Sequence, residues 1–164
     1  MDEIAVEWLI LADAATVVGE KLYLLGGGWD RLTVTKPPPV PHQMAVAASF
    51  RVPWNETNQK HRFELEICDV DGISLFKFGG TFEVGRPAGL PQGQSQRSQI
   101  AVNIGLVFKK LGAYVIVGRV DDHAESEARF PFSVVPTDAV AAALAQQVRQ
   151  QADDDQPGAP EAGA

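Results

Sequence analysis

The chain has 164 residues, a formal net charge of −7, one cysteine, 45% hydrophobic and 21% charged residues. That length and balance describe one globular domain with a buried core, and the lone Cys68 excludes a disulfide framework and a thiolate zinc site. Asp153, Asp154, Asp155 and Glu161 contribute −4, which leaves −3 for residues 1–152, and no Lys/Arg stripe is present to neutralise phosphates, so nucleic acid is not an expected partner.

Met1-Asp2-Glu3-Ile4 opens the chain without the basic stretch and apolar run of a secretory signal. The longest apolar stretches fall well short of the about 18 residues that cross a bilayer. A cytoplasmic protein without membrane contact is expected, and Asn55-Glu56-Thr57, which fits the glycosylation acceptor pattern, is expected to stay unmodified.

Period-two alternation then dominates up to residue 135, with strands expected at 4–12, 21–27, 29–35, 43–53, 61–69, 73–84 (as one strand or two), 98–109, 113–121 and 127–135. Met44, Val46, Ala48, Phe50 and Val52 share one face, and Ala45, Ala47, Ser49 and Arg51 the other. One apolar and one wetter face mark antiparallel sheet covered on one side. Val17-Val18-Gly19-Glu20 and Asp69-Val70-Asp71-Gly72 are hairpin signals. Leu111-Gly112 makes a tight break, and Asp121-Asp122-His123-Ala124 turns the last pair. Lys36-Pro37-Pro38-Pro39-Val40-Pro41 reads as an extended crossover stiff enough to carry the chain between sheets. Residues 85–99 form a long polar loop broken by Pro and Gly.

After Pro136 the pattern changes. Thr137 can cap a helix over 137–151, with Val140, Leu144 and Val148 as a thin apolar stripe. Such a helix is marginal alone and is expected to dock. The division is therefore a β-sandwich over 1–136, a helix over 137–151 and a disordered acidic tail over 152–164.

The motifs carry little chemistry. Gly26-Gly27-Gly28 is followed by strand-like sequence and reads as a corner, not a phosphate loop. Asp69, Asp71, Asp121, Asp122, Glu125 and Glu127 lack calcium-loop spacing. His42, His61 and His123 lie apart and read as solvated turn residues. No nucleophile–base pair can be named, so an enzyme is not expected; neither is a cofactor or a metal. The more informative segments pair a Trp with polar groups at strand ends: Trp29, Asp30 and Arg31, then Trp54, Asn55, Glu56 and Asn58. With Arg86 and Arg97 from the 85–99 loop these form the candidate ligand or partner site. Against it stands a structural reading, in which Trp54 plugs the sandwich end while Asn55 and Thr57 cap a turn.

Leu22-Tyr23-Leu24-Leu25-Gly26-Gly27-Gly28-Trp29-Asp30-Arg31, Val52-Pro53-Trp54-Asn55-Glu56-Thr57-Asn58 and Phe82-Glu83-Val84-Gly85-Arg86-Pro87 resemble signatures of a small bacterial family of unknown function, over residues 4–136. That resemblance implies no activity. Gly112 through Tyr114 to Phe132-Ser133-Val134-Val135 resembles the last hairpin of immunoglobulin-like domains, with Tyr114 similar to their tyrosine corner. The expectation is an all-β chain, an antiparallel immunoglobulin-like β-sandwich of eight or nine strands. It would act as a non-enzymatic interaction or assembly module with a protein partner or as a homo-oligomer, with small-ligand or glycan binding at the Trp-lined ends as the alternative.

Overall fold

A computed structural model describes residues 2–155. Nine strands run in chain order as β1 (Ala5–Val18), β2 (Lys21–Gly27), β3 (Arg31–Val34), β4 (Val40–Val52), β5 (Lys60–Asp69), β6 (Ser74–Glu83), β7 (Gln96–Phe108), β8 (Gly112–Val120) and β9 (Ala128–Pro136), followed by α1 (Asp138–Asp154). They form two sheets, β2-β1-β4-β7 and β3-β9-β8-β5-β6. The mostly-β sandwich expected from the alternation is what the chain adopts, and residues 73–84 hold one strand, not two.

The inward residues of the two sheets meet in a single core. Leu11, Met44, Val46, Phe50 and Val52 from one side pack against Phe63, Leu65, Ile67, Ile116 and Val134 from the other. Each such side chain contributes about 1.5–3 kcal/mol on burial. Phe50 stacks on Phe82 at 4.9 Å between ring centroids, and Tyr114 on Phe132 at 5.6 Å.

The long connections move the chain between sheets. Gly26, Gly27 and Gly28 form the corner from β2 to β3, with Gly26 and Gly28 at φ +59° and +87°, where L side chains are strained. The 36–41 segment carries the chain back from β3 to β4, although β4 already begins at Val40. Leu111-Gly112 joins β7 to β8 across the sandwich. Strand β3 is shorter than expected and pairs with β9 in parallel, from Arg31 opposite Ser133 to Val34 opposite Pro136, so the sandwich is not wholly antiparallel. The reason is topological: a strand arriving from the opposite sheet at a glycine corner meets β9 in the same direction.

Two expectations fail for a shared cause. β1 extends to Val18, six residues beyond its expected end, and Ala45, Ala47 and Ser49, expected on a wetter face, are buried. Past Ala12, where β1 last pairs with β4, the strand leaves that ladder and carries β2 across the outside of the sheet as a hairpin arm. Asn103 of β7 fastens it. The Ala15 N–H donates to Asn103 Oδ1 at 3.0 Å and Asn103 Nδ2 donates to the Ala15 carbonyl at 2.8 Å, an amide standing in for a strand partner. Gln99 Nε2 holds the Glu20 carbonyl at 3.2 Å. Ala12, Ala15 and Ala45, with Leu22 and Ala101, form a second small apolar cluster under the arm. Alanine there lets the two layers approach closely.

Thr137 caps α1 by accepting from the Val140 N–H at 3.4 Å. The helix runs to Asp154, so residues 152–154, expected in a disordered tail, are helical. The rest of that tail, 156–164, lies outside the described residues. Docking stops after one turn: Val140 is buried, Leu144 half-buried and Val148 66% exposed. Steps of four residues advance about 40° beyond a full turn, so the stripe has rotated about 80° off the contact by Val148.

Candidate functional site

At one end of the sandwich β4 stops at Val52, and Pro53 turns the chain into a single 3₁₀ turn, Trp54–Glu56. The Thr57 hydroxyl donates back to the Trp54 carbonyl at 2.7 Å. Asn58 adopts a left-handed φ of +59°, which Asn tolerates. Its N–H donates to the Val84 carbonyl at 2.8 Å, tying the turn to the end of β6. Arg86, two residues on, closes over the top. Its guanidinium carbon lies 4.4 Å from the Trp54 ring centroid, Nη2 donates to the Trp54 carbonyl at 2.7 Å, and Nε donates to Thr57 Oγ1 at 2.5 Å. A cation over an indole face is worth about 0.5–1 kcal/mol where, as here, the guanidinium is exposed.

Beneath this clasp sits His61, 2% exposed at the start of β5. Its Nδ1 lies 2.9 Å from Asp121 Oδ2 and its Nε2 2.6 Å from the Glu56 carbonyl. Both partners can only accept, so both ring nitrogens carry protons and the imidazole is a cation. Burial works against that charge, but the Asp121 carboxylate and the Glu56 carbonyl outweigh it, and the pKa is raised above the ordinary value. Asp121 Oδ1 also accepts from the Arg62 N–H at 2.8 Å. The expectation of a solvated turn histidine fails here: a start-of-strand position facing inward, opposite Phe82, buries the ring. His123 is exposed, and His42 is half-buried with its pKa lowered by that burial.

Beside the clasp a cleft of about 620 Å³ opens between the arm tip and the loop after β6, lined by Val17, Glu20, Glu83, Arg86, Arg97 and Gln99. Arg97 is already committed: its Nη2 and Nε reach Glu7 Oε1 and Oε2 at 2.6 and 2.5 Å, and Ser49 Oγ donates to Glu7 Oε2 at 3.0 Å. The guanidinium holds the Glu7 carboxyl below its usual range.

A family model matches residues 7–135. The chain belongs to DUF6941, a family of unknown function. The expected resemblance to a family without assigned activity is thereby met, with α1 outside the matched region. No curated protein matches the chain.

The structure divides the sequence-derived candidates. Trp54, Asn55, Glu56, Asn58 and Arg86 stand together, with Arg97 across the cleft. Trp29, Asp30 and Arg31 lie at the opposite end of β4, where Trp29 packs edge-on against Phe132 and His42, each at 6.4 Å. The Asp30 carbonyl accepts from Ser133, and Arg31 starts the β3 ladder with its side chain in solvent. Trp29 Nε1 and His42 Nε2 are buried there without a partner among the described residues. The paired acids Glu64 and Glu66 belong to an ion-pair network outside the five-stranded sheet, reaching Arg119 at 3.0 and 2.9 Å, and Arg119 also meets Glu127 at 2.9 Å. Asp69 Oδ1 accepts from the Asp71 and Ile73 N–H groups, ordinary turn chemistry. Among the described residues no group of three or more His, Cys, Asp or Glu is arranged to hold a metal, and no helix is long and apolar enough to cross a membrane. Burial, with Glu66 beside it, pushes the Cys68 thiol up.

Two features escaped sequence reasoning. Asn103 sits in a strand with regular alternation and gives no local sign that its amide clasps another strand. The arm's surface did leave one: Leu22-Tyr23-Leu24-Leu25 is apolar at every position, which alternation for one covered face does not require. Tyr23 and Leu25 are 55% and 70% exposed, and Leu24 is 38% exposed.

Proposed function

We propose that this chain is a non-enzymatic interaction and assembly module that works through the β1–β2 arm. One observation carries the reading. β2 is an edge strand, bonded on one side only, and from Leu22 to Gly27 it has neither charge nor proline while exposing Tyr23, Leu24 and Leu25. Proteins ordinarily guard such edges with lysine, proline or brevity. Of the other edges, β3 has four residues, β6 carries Lys77 near its middle, and β7, uncharged from Ser98 to Phe108, exposes Val107 alone among its large apolar side chains, against three on β2, whose own charge, Lys21, lies at its turn end. An unguarded edge fixed rigidly to the sandwich by Asn103 is suited to being covered by another chain. An immunoglobulin-like classification is supported by Tyr114, whose hydroxyl donates to the Lys110 carbonyl at 2.6 Å as a tyrosine corner does. A cytoplasmic setting fits a free, half-buried cysteine.

The test is affinity capture in parallel with Leu25→Lys and Trp54→Ala baits. Binding lost with Leu25→Lys and kept with Trp54→Ala is the expected result; binding indifferent to Leu25→Lys refutes the arm. A second reading, a small-ligand or glycan site, is favoured by the 620 Å³ cleft beside the Trp54–Arg86 plate. It predicts tryptophan fluorescence changes with a glycan library that vanish in Trp54→Phe.

A further inference from the structure

The hydrogen-bonding phase of the arm decides which backbone groups β2 has to offer. Val18 and Lys21 flank the two-residue turn Gly19-Glu20, whose φ values of +56° and +61° are those of a type I′ hairpin. In such a hairpin the flanking pair exchanges hydrogen bonds, and bonded and non-bonded pairs then alternate. Thr16–Tyr23 and Ala14–Leu25 are therefore bonded pairs, whereas Val17–Leu22 and Ala15–Leu24 point their N–H and C=O groups away from one another. Ala15 bears this out on the β1 side, where its outward N–H and carbonyl are the ones Asn103 takes. On the β2 side the outward groups belong to Leu22 and Leu24, and nothing among the described residues bonds to them. At Gly26, φ +59° ends the extended run.

Building on the arm reading above, we propose that the occupant of this edge is a second copy of the chain, its β2 antiparallel to the first about a two-fold axis through Tyr23. The register follows from the free groups. With Tyr23 on the axis, Leu22 of each copy faces Leu24 of the other, and four backbone hydrogen bonds form, all within 21–25. An axis at Leu24 would set Leu22 against Gly26, where the strand has already turned. The side chains agree with the same register. Tyr23 meets its own copy as a close non-bonded pair, where side chains interact most strongly. Leu25 lands opposite Lys21 of the second copy, whose aliphatic stem can cover it. Lys21 is the strand's one charge, and the two copies of it end about 13 Å apart, four residues along the ladder. The pairing thus covers the exposed Tyr23 and Leu25 and opposes no like charges.

The test is sedimentation equilibrium of the full chain together with cysteine scanning in a Cys68→Ala background. The native chain should sediment at twice its 17.7 kDa at tens of micromolar, and Leu25→Lys should return it to one mass. Tyr23→Cys should oxidise to a linked dimer, since non-bonded pairs bring Cα atoms to about 4.5 Å, within disulfide reach. Leu22→Cys should not self-link, because the two copies of residue 22 stand about 8 Å apart. Should Tyr23→Cys disturb the arm, native-chain amide exchange decides: Leu22 and Leu24 must become protected as concentration rises. A chain that stays monomeric at about 100 micromolar overturns the proposal, as does a dimer that links at 22 and not at 23. A monomer whose other binding is still abolished by Leu25→Lys refutes the second copy and leaves the arm reading standing; a monomer indifferent to Leu25→Lys refutes both.

Discussion

Replacing His61 with Leu removes a buried cation and both of its hydrogen bonds while keeping an apolar side chain against Phe82. The Glu56 carbonyl loses its partner at 2.6 Å, and Asp121 keeps only the Arg62 N–H through Oδ1. Each hydrogen bond to a charged group contributes about 1.5–3 kcal/mol, and relief of the cost of burying the cation offsets part of the pair, for an expected net loss of about 3 kcal/mol. In a chain of this size that is a melting point lower by about 9 °C. The dependence on pH is the sharper test. The fold raises the His61 pKa above its unfolded value near 6.5, so its stabilisation is complete below about pH 6.5 and is lost as pH rises through the folded pKa. Each unit by which the fold raises that pKa removes about 1.4 kcal/mol of the stability gap between the native and H61L chains. Urea unfolding followed by tryptophan fluorescence, from about pH 5.5 to about pH 9 across the ordinary histidine range, should show that gap narrowing towards the alkaline end. A gap that holds constant or widens would mean that His61 is neutral in the folded state and that the argument from two acceptors is wrong.

Three other substitutions separate the parts of the fold. Tyr114→Phe deletes the hydroxyl that donates to Lys110 and should cost about 1 kcal/mol in thermal melts, leaving the arm untouched. Asn103→Leu breaks both bonds to Ala15; amide exchange at Ala15 should rise at least tenfold and proteolysis should begin within residues 12–27, well before global unfolding. Arg86→Ala should uncover the Trp54 face, shifting its emission to the red and exposing the 85–95 loop to protease, while Arg86→Lys restores little because one ammonium cannot both stack and fork.

Much of the sandwich was legible because β-strand periodicity is a burial signal read one residue at a time. Met44 to Val52 and Phe63 to Ile67 alternate, and those residues form the core. The glycine corner and the proline crossover were legible for the same local reason: each backbone can do few other things there. What alternation reports, however, is only whether a face is covered, not by what. Ala45, Ala47 and Ser49 are small and weakly polar, a composition equally suited to thin solvent contact or to a close second layer. The difference is made by Asn103, 88 residues from the Ala15 it holds, and no local pattern encodes that distance.

The candidate site shows the same division between local and assembled information. Trp54 and the turn after it were found from composition at a strand end, but the proton state of His61 depends on Asp121, brought beside it across the β5–β8 ladder. Trp29 and Trp54 both precede polar residues, and only the direction of β4 separates them to opposite ends. The arm presents the converse case. Leu22 to Leu25 announce an unusual surface in the sequence, since a strand with one covered face has no need of apolar residues at both parities. Which parity carries free backbone groups is set by the two-residue turn at Gly19-Glu20, and that is local too. A one-residue slip of β2 against β1 would turn the Leu22 and Leu24 backbone groups inward and at the same time rotate Tyr23 and Leu25 onto the covered face, so the Tyr23-centred register and the exposed apolar surface stand or fall together.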